Sequence, residues 1–456
     1  MPLTRRELLY AGMPAILHSQ LSSRPNILWI LAEDLGPQLH CYGYPIVHTP
    51  NLDHFASEGA RFARAFTTAP VCSASRSAFN TGVYQTTAGT HNHRSHRKDG
   101  YALPNGVELI TERLRRQGYF TANILKVTDE VSGAGKTDFN FTAPKPFDGT
   151  HWRERKTGQP FFAQINFRET HKGPAFKEAR TQKKLVDPAS IPLPPYYADH
   201  PVIRDEMANY LDTVNLLDRK VGVLLDELKK DGLLDETVIF FMGDNGRCLL
   251  RGKQWLYDAG IHVPMMLRWP GVVKPATVRE DPVLSLDITA TTLQAAGIPL
   301  PELFHGRPLY GKEHGAEGKQ REYIVAARDR CDMTVDRIRC VRDKQYKYIR
   351  NFMPERPYTQ FNNYIETQYP TLNVMKKLHA EGKLNATQQL FMAPRKPDVE
   401  LYDVNADPHE VNNLAAKPEH ASLMKQYAKR LDKWIKETGD QGRVRENQAE
   451  IDASLN

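Results

Sequence analysis

Two short acidic clusters and one cysteine supply most of the reactive groups that this sequence offers. Glu33-Asp34 follows the apolar run Asn26–Ala32, and Asp244-Asn245 follows the apolar run that begins at Val238. Adjacent carboxylates sharing one site repel by roughly 4 kcal/mol per close pair at an effective dielectric near 20. A hard divalent cation turns that repulsion into attraction, and carboxylates plus an amide oxygen suit calcium or magnesium rather than zinc. Taken singly, either pair also reads as a turn or helix cap, where Asp and Asn are common. The third element is Val71-Cys72-Ser73-Ala74-Ser75-Arg76, ahead of a short helix over Ser75–Thr81 that Gly82 closes. A cysteine at a helix N-terminus faces unpaired N–H groups and the positive end of the dipole, which favours an anionic nucleophile. Arg76 lies one turn on, on the same face, and can fork onto an oxyanion. In isolation this segment equally fits a buried structural cysteine.

Several elements must position these residues. The runs Asn26–Ala32, Tyr119–Ile124, Phe161–Phe167, Val238–Met242 and Val263–Trp269 are short and nearly continuously apolar, as strands of a parallel sheet buried on both faces require. Thr49-Pro50 starts a helix that ends at Gly59. A long amphipathic helix carries Met207, Tyr210, Leu211, Val214, Leu217, Val221, Leu224 and Leu228 at three- and four-residue steps, until Gly232 stops it. Alternating strands and helices predict a doubly wound α/β domain, which binds ligands beyond the carboxyl ends of its strands. Both acidic pairs stand at such ends.

The texture changes near Arg321, where Ile338–Arg342 and Gln345–Arg350 read as an antiparallel hairpin, followed by a closing helix with Leu423, Tyr427, Leu431 and Trp434. The division is therefore 24–320 for the α/β domain and 321–456 for a smaller α+β unit. Residues 1–23 contain Thr4-Arg5-Arg6-Glu7-Leu8-Leu9 and a short apolar stretch, which resembles a twin-arginine export signal and predicts a periplasmic or secreted protein.

Composition bounds the rest. Of 456 residues, 40% are hydrophobic and 25% charged, which excludes disordered, collagen-like and polytopic membrane chains. Lys and Arg number 61 against 54 Asp and Glu, a formal charge of +7 spread along the chain, which points to a small anionic substrate and not to nucleic acid. No later run reaches the roughly 20 apolar residues of a membrane span, so stable insertion is not expected. Five scattered cysteines make neither a disulfide scaffold nor a Cys-rich zinc site.

Taken together and in order, the motifs are specific. An Asn-Ile…(acid)-Asp-Leu-Gly opening, Thr49-Pro-Asn-Leu-Asp53, Cys-x-Ala-x-Arg and Gly243-Asp-Asn-Gly246 resemble the formylglycine-dependent sulfatases of the alkaline-phosphatase superfamily. Leu401-Tyr-Asp403 with Asp407-Pro-His-Glu410 and the closing helix are most similar to N-sulfoglucosamine sulfohydrolases, the heparan sulfamidases, and their glycan-degrading relatives. The resemblance implies a large, mostly parallel mixed sheet flanked by helices. It implies that Cys72 is oxidised to formylglycine by a maturation enzyme, and that Glu33, Asp34, Asp244 and Asn245 hold calcium, with magnesium as the alternative. Arg76, Lys136, His171 and Lys253 would hold the nucleophile and the sulfate of a sulfated oligosaccharide, and His171 or Lys253 would protonate the leaving group. His91, His93 and Arg94 would form a basic loop at the pocket mouth, although a plain solvated loop fits them equally.

Three departures from the family pattern stand out. Glu33 replaces the usual first Asp, Ala74 replaces a common Pro, and the family's Gly-Lys-x-His frame has Asp138 in place of its His if Lys136, and not Lys126, is its lysine. Two other readings follow from the same residues. One is a phosphodiesterase or phosphonate monoester hydrolase of the same superfamily; the other is an inactive glycan-binding relative.

Overall fold

The computed structural model describes residues 24–179, 185–311 and 318–455, so the expected export signal lies outside the described residues. The first nine strands are β1 (Asn26–Ala32), β2 (Ala60–Phe62), β3 (Ala65–Phe66), β4 (Phe120–Ile124), β5 (Phe161–Phe167), β6 (Thr237–Gly243), β7 (Met265–Arg268), β8 (Thr277–Arg279) and β9 (Val283–Leu284). Seven of them form one sheet in the order β4-β5-β1-β6-β7-β2-β8, while β3 and β9 make a separate short ladder.

All seven residues of β1 are buried, and they alternate between two cores. Leu28 and Ile30 join Tyr210, Leu211, Val214 and Leu217 of the helix Pro201–Lys230 on one face. Ile27, Trp29 and Leu31 join Phe79 and Ile288 on the other. A strand walled on both sides has no polar face to show, which is why its sequence is an unbroken apolar run. The long helix also fixes the helix Pro50–Ser57, because the Asp218 carboxylate accepts the Leu52 N–H at 2.8 Å.

β4, β5, β1 and β6 are mutually parallel, as expected. β7 is not: it pairs antiparallel with β6. A parallel return needs a crossover spanning the length of β6, about 23 Å for seven residues at 3.3 Å each. The only helix between the two strands, Asp258–Ile261, is four residues long and about 6 Å at 1.5 Å per residue. The chain therefore stays at the carboxyl edge of β6 and re-enters from there.

The second sheet consists of β10 (Tyr323–Arg328), β11 (Ile338–Asp343), β12 (Tyr346–Asn351) and β13 (Val399–Asp403), all antiparallel. The expected hairpin is β11–β12, and Asp343 closes its turn by accepting the Gln345 and Tyr346 N–H groups, both at 2.9 Å. The helix Ala421–Thr438 covers this sheet with Tyr427, Leu431 and Trp434. Among the described residues no helix is long and apolar enough to cross a membrane.

Candidate active site

β1 and β6 are in register, with Ala32 opposite Gly243, so the residues that follow each strand emerge side by side. The Asp244 N–H donates to the Ala32 carbonyl at 3.0 Å, and the Asp34 N–H donates to Asp244 Oδ1 at 3.0 Å. Asp34 adopts a left-handed backbone (φ 52°), a conformation that costs a non-glycine residue energy and that surrounding structure must impose. On the other side the backbone leaves no room: a Cβ on Gly246 would lie 2.3 Å from the Ala259 carbonyl oxygen.

The helix Cys72–Thr81 points its first residue at this edge. Cys72 Sγ lies 3.6 Å from Asp34 Oδ1, and the Ser75 hydroxyl donates to the Asp244 carbonyl at 2.6 Å, tying the helix to β6. One turn on, Arg76 reaches Asp244 Oδ2 at 2.9 Å and Glu33 Oε1 at 3.9 Å, and it donates to Asn166 Oδ1. Lys253 Nζ lies 2.9 Å from both Asp34 oxygens. Lys136 Nζ donates to Glu33 Oε2 at 2.8 Å, and His171 Nε2 lies 3.7 Å from Asp34 Oδ2.

Three carboxylates (Glu33, Asp34, Asp244) thus face three cations (Arg76, Lys136, Lys253), a neutral balance. Burial drives the Asp34 carboxyl upward, but Lys253 and His171 outweigh it and hold the group at about 2. For Glu33 burial is again outweighed, here by Lys136 and Arg76, and the carboxyl is lowered. At Asp244 burial prevails over Arg76, so that carboxyl is raised. Burial, with Lys253 adding to it, drops His171 to about 4, so its ring is neutral at pH 7. Burial pushes the Cys72 thiol up to about 12 against the pull of Lys136 and Lys253. The helix end alone therefore does not make a thiolate of the encoded cysteine, contrary to the expectation from its position.

The donor set fits a hard divalent cation. Ligand atoms of Asp34, Asp244 and Cys72 lie within 4.8 Å of one another, and Asn245 Oδ1 is buried with no hydrogen-bond partner. Oxygen donors of this kind suit calcium or magnesium. A divalent ion added to the neutral balance would leave two positive charges for an anionic substrate.

Sequence comparison places this geometry. A family model described as Sulfatase matches residues 25–298, and one described as N-sulphoglucosamine sulphohydrolase, C-terminal, matches 248–370. The chain belongs to the sulfatase family. A relative named ulvan-active sulfatase, from Formosa agariphila, is 33% identical over 94% of this chain and 78% of its own length. Human N-sulphoglucosamine sulphohydrolase is 25% identical over 92% of this chain and 91% of its own. A solved enzyme in complex with its substrate D-glucosamine-2-N,6-O-disulfate superposes with a TM-score of 0.64 at 20% identity, covering 91% and 98% of the two chains. The phosphonate monoester hydrolase of Agrobacterium radiobacter superposes at 0.66 with 17% identity, over 91% and 96%. At those identities the two structures share the fold.

The sulfatase brings nine of its sequence-expected residues together: Glu33, Asp34, Cys72, Arg76, Lys136, His171, Asp244, Asn245 and Lys253. Lys126 stands elsewhere, exposed and paired with Asp129 at 2.6 Å. Asp138 lies beside Lys136 at 3.5 Å and also pairs with Arg97, so its charge is balanced by two cations. The Arg94 N–H donates to Ser73 Oγ at 2.9 Å, on the helix that carries Cys72, and His93 Nδ1 bonds Asp332 at 2.8 Å, in the loop that follows β10. His93 is 5% exposed and so does not lie on a solvent-facing loop, and His91 also departs from that expectation. It is 8% exposed, neither ring nitrogen has a partner, and the charges around it are Asp329, Arg339 and Asp440, none of them in the site.

Asn166 and Tyr364 were missed. Asn166 on β5 orients Arg76 and is itself bonded by its Nδ2 to Asn123 Oδ1 at 3.2 Å. A signal was present, since Asn166, like Gln164, is a polar residue inside a strand buried on both faces. Tyr364 reaches the site from the helix Asn363–Gln368, its ring 5.6 Å from Lys253 Nζ and 6.2 Å from the His171 ring. Nothing in the local sequence marks it.

Proposed function

We propose that this sulfatase removes sulfate from a sulfated saccharide, using a formylglycine made from Cys72 and a divalent cation, calcium or alternatively magnesium. The observation that carries the reading is the convergence of Cys72 Sγ, which stands for the hydrate oxygens of the modified residue, with Asp34, Arg76 and Lys253 at one sheet edge. The names of the ulvan-active and N-sulphoglucosamine relatives support a glycan substrate.

Glu33, Asp34, Asp244 and Asn245 would hold the cation, which supplies Lewis-acid polarisation of a sulfate oxygen. Arg76, fixed by Asp244 and Asn166, orients the hydrate and balances its charge. Lys136 and Lys253 exchange their carboxylate partners for sulfate oxygens. At the modified residue a hydrate hydroxyl would bond to sulfur and give its proton to Asp34, whose Oδ1 lies 3.6 Å from Cys72 Sγ, as the bond from sulfur to the sugar oxygen or nitrogen breaks and its electron pair leaves with that atom. His171 gives the leaving atom a proton; bound sulfate raises the imidazole's proton affinity from the low value burial imposes. His171, left neutral, would then take the proton of the second geminal hydroxyl, so that the aldehyde reforms and sulfate is expelled. Arg94 would border the entrance and contact the saccharide; His91 and His93, both buried and His93 held by Asp332, are withdrawn from that role.

The reading extends to the whole chain as two units, 24–320 and 321–456, a view supported by the change from mixed to wholly antiparallel pairing. It also includes export by the N-terminal signal and conversion of Cys72 by a maturation enzyme. The test is mass spectrometry of the Cys72 peptide, from protein made with such an enzyme, combined with a panel of defined sulfated disaccharides. The aldehyde mass and release of sulfate from at least one disaccharide are expected. An intact thiol with full activity overturns the mechanism. The similarity in fold to a phosphonate monoester hydrolase keeps a second reading, and faster turnover of aryl phosphonates than aryl sulfates would establish it.

A further inference from the structure

The loop that delivers Lys253 to Asp34 also borders a separate cavity of about 370 Å³. Arg247 and Arg251 line it with Tyr196, Tyr257 and His409, and none of the nine reaction-site residues does. Both arginines are buried, at 8% and 5% exposure. The chain's other buried arginines each have a carboxylate: Arg76 has Asp244, Arg279 has Asp281, Arg328 has Asp336, Arg330 has Glu446, and Arg339 has Asp329 and Asp440. Arg268 and Arg342 pair likewise, with Glu58 and Asp258.

Arg247 and Arg251 have none among the described residues. Arg247 Nη2 donates to the Tyr196 hydroxyl at 2.7 Å; Arg251 donates to the His409 carbonyl at 3.0 Å and to the Glu410 carbonyl. The Nε of each is buried without a partner. The three acids bordering the cavity are engaged elsewhere: Asp258 by Arg342 at 3.2 Å, Glu410 by Lys347 at 2.7 Å, and Glu280 by Arg64. Arg251 lies 3.9 Å from the Tyr257 ring centre and 4.6 Å from that of Tyr196, which eases its desolvation, and Glu410, the carboxylate that acts on it, is already paired with Lys347 at 2.7 Å. Arg251 also holds a left-handed backbone (φ 65°), a strain found where function demands it. Uncompensated buried charge of this kind is costly and is normally removed by a counter-ion.

We propose that Arg247 and Arg251 form a second oxyanion site, apart from the reaction centre, that takes a sulfate group. Guanidinium forks match the oxygen geometry of sulfate, and the tyrosine faces beside them suit a sugar ring. The group is either free sulfate or a further sulfate on the glycan chain being processed. Because the Lys253 N–H donates to the Arg247 carbonyl at 2.9 Å, occupancy braces the loop that presents Lys253. The site needs only this charge pattern and not the chemistry at Cys72.

The test uses the full-length chain, and selenate as an anomalous stand-in for sulfate. An anomalous peak between the two guanidinium groups is expected in crystals of the wild type and is absent in Arg247→Gln. In solution, calorimetric titration with sodium sulfate at fixed ionic strength should lose one binding event in Arg247→Gln, and Arg251→Gln should weaken the same event at least tenfold. A sulfated hexasaccharide that displaces sulfate from this site at tenfold lower concentration marks a glycan-borne group, whereas equal concentrations mark free sulfate. Without sulfate, Arg247→Gln should melt no lower than wild type, since it removes a charge that lacks a counter-charge; a purely structural arginine would lower the melting point. No selenate peak in wild type, or an unchanged titration in both variants, overturns the proposal. If the sulfatase reading fails on its own substrates, these binding results stand unaffected.

Discussion

Lys253→Met tests the charge balance of the reaction site directly. The lysine ammonium lies 2.9 Å from the Asp34 oxygens, where one pair of unit charges interacts by about 6 kcal/mol at an effective dielectric near 20. Removing one member of a buried pair costs less than that, typically about 3–5 kcal/mol, because the structure relaxes. An unfolding entropy of about 2.1 cal/mol/K per residue gives roughly 1 kcal/mol/K for 456 residues, so the melting point should fall by about 3–5 °C. Scanning calorimetry in EDTA should show that loss. If a divalent ion shares the Asp34 carboxylate, calcium supplies the missing charge, and the variant should recover most of its melting point when the ion is added. Turnover should remain lower by about 10²–10³, the usual effect of deleting one group that stabilises developing oxyanion charge. An equal loss with and without calcium would show that no cation uses Asp34.

Cys72→Ala should abolish sulfate release with little change in melting point, checked by ion chromatography and calorimetry, because among the described residues the thiol bonds only Asp34, at a long 3.6 Å. Gly246→Ala should both destabilise and inactivate, since its Cβ would meet the Ala259 oxygen at 2.3 Å and displace Asp244-Asn245; wild-type calcium affinity by titration would contradict this. Acid should weaken the fold through two partly buried histidines. Burial holds His262 and His305 at about 4 against an ordinary 6.5, so as pH falls the unfolded chain takes up these protons first. Stability is then lost between pH 6.5 and about 4, and the double variant His262→Gln/His305→Gln should flatten the melting-point curve across that window.

What the sequence revealed follows from which interactions are local. β1, β5 and β6 are legible because strands buried on both faces have no choice of pattern, and both acidic pairs sit where those runs stop. Lys136 could be separated from Lys126 only by its frame of neighbours, and the structure places it at Glu33. The direction of β7 was not legible, since an apolar run looks the same in either orientation and only the short return helix decides it. β2 and β8, three residues each, are too short for any period to register. His91 misled because a run of histidines and arginines reads as a wet loop, whereas the second sheet closes over it. Tyr364 and the Arg247–Arg251 pair arise from packing between distant segments, which no local pattern encodes.

The near-complete burial of Cys72, at 2% exposure, sets a chronology. An enzyme that oxidised Cys72, as proposed, would have to grip the peptide on both sides of the side chain, and in the finished fold that peptide is the first turn of a helix pinned to β6. If Cys72 is oxidised as proposed, conversion would have to precede closure, and each newly made chain would run a race between being modified and folding shut. Chains that closed first would keep the fold but lack the proposed nucleophile. The specific activity of a preparation then measures how that race was run, so conditions that slow collapse of the nascent polypeptide should raise the active fraction without altering any residue.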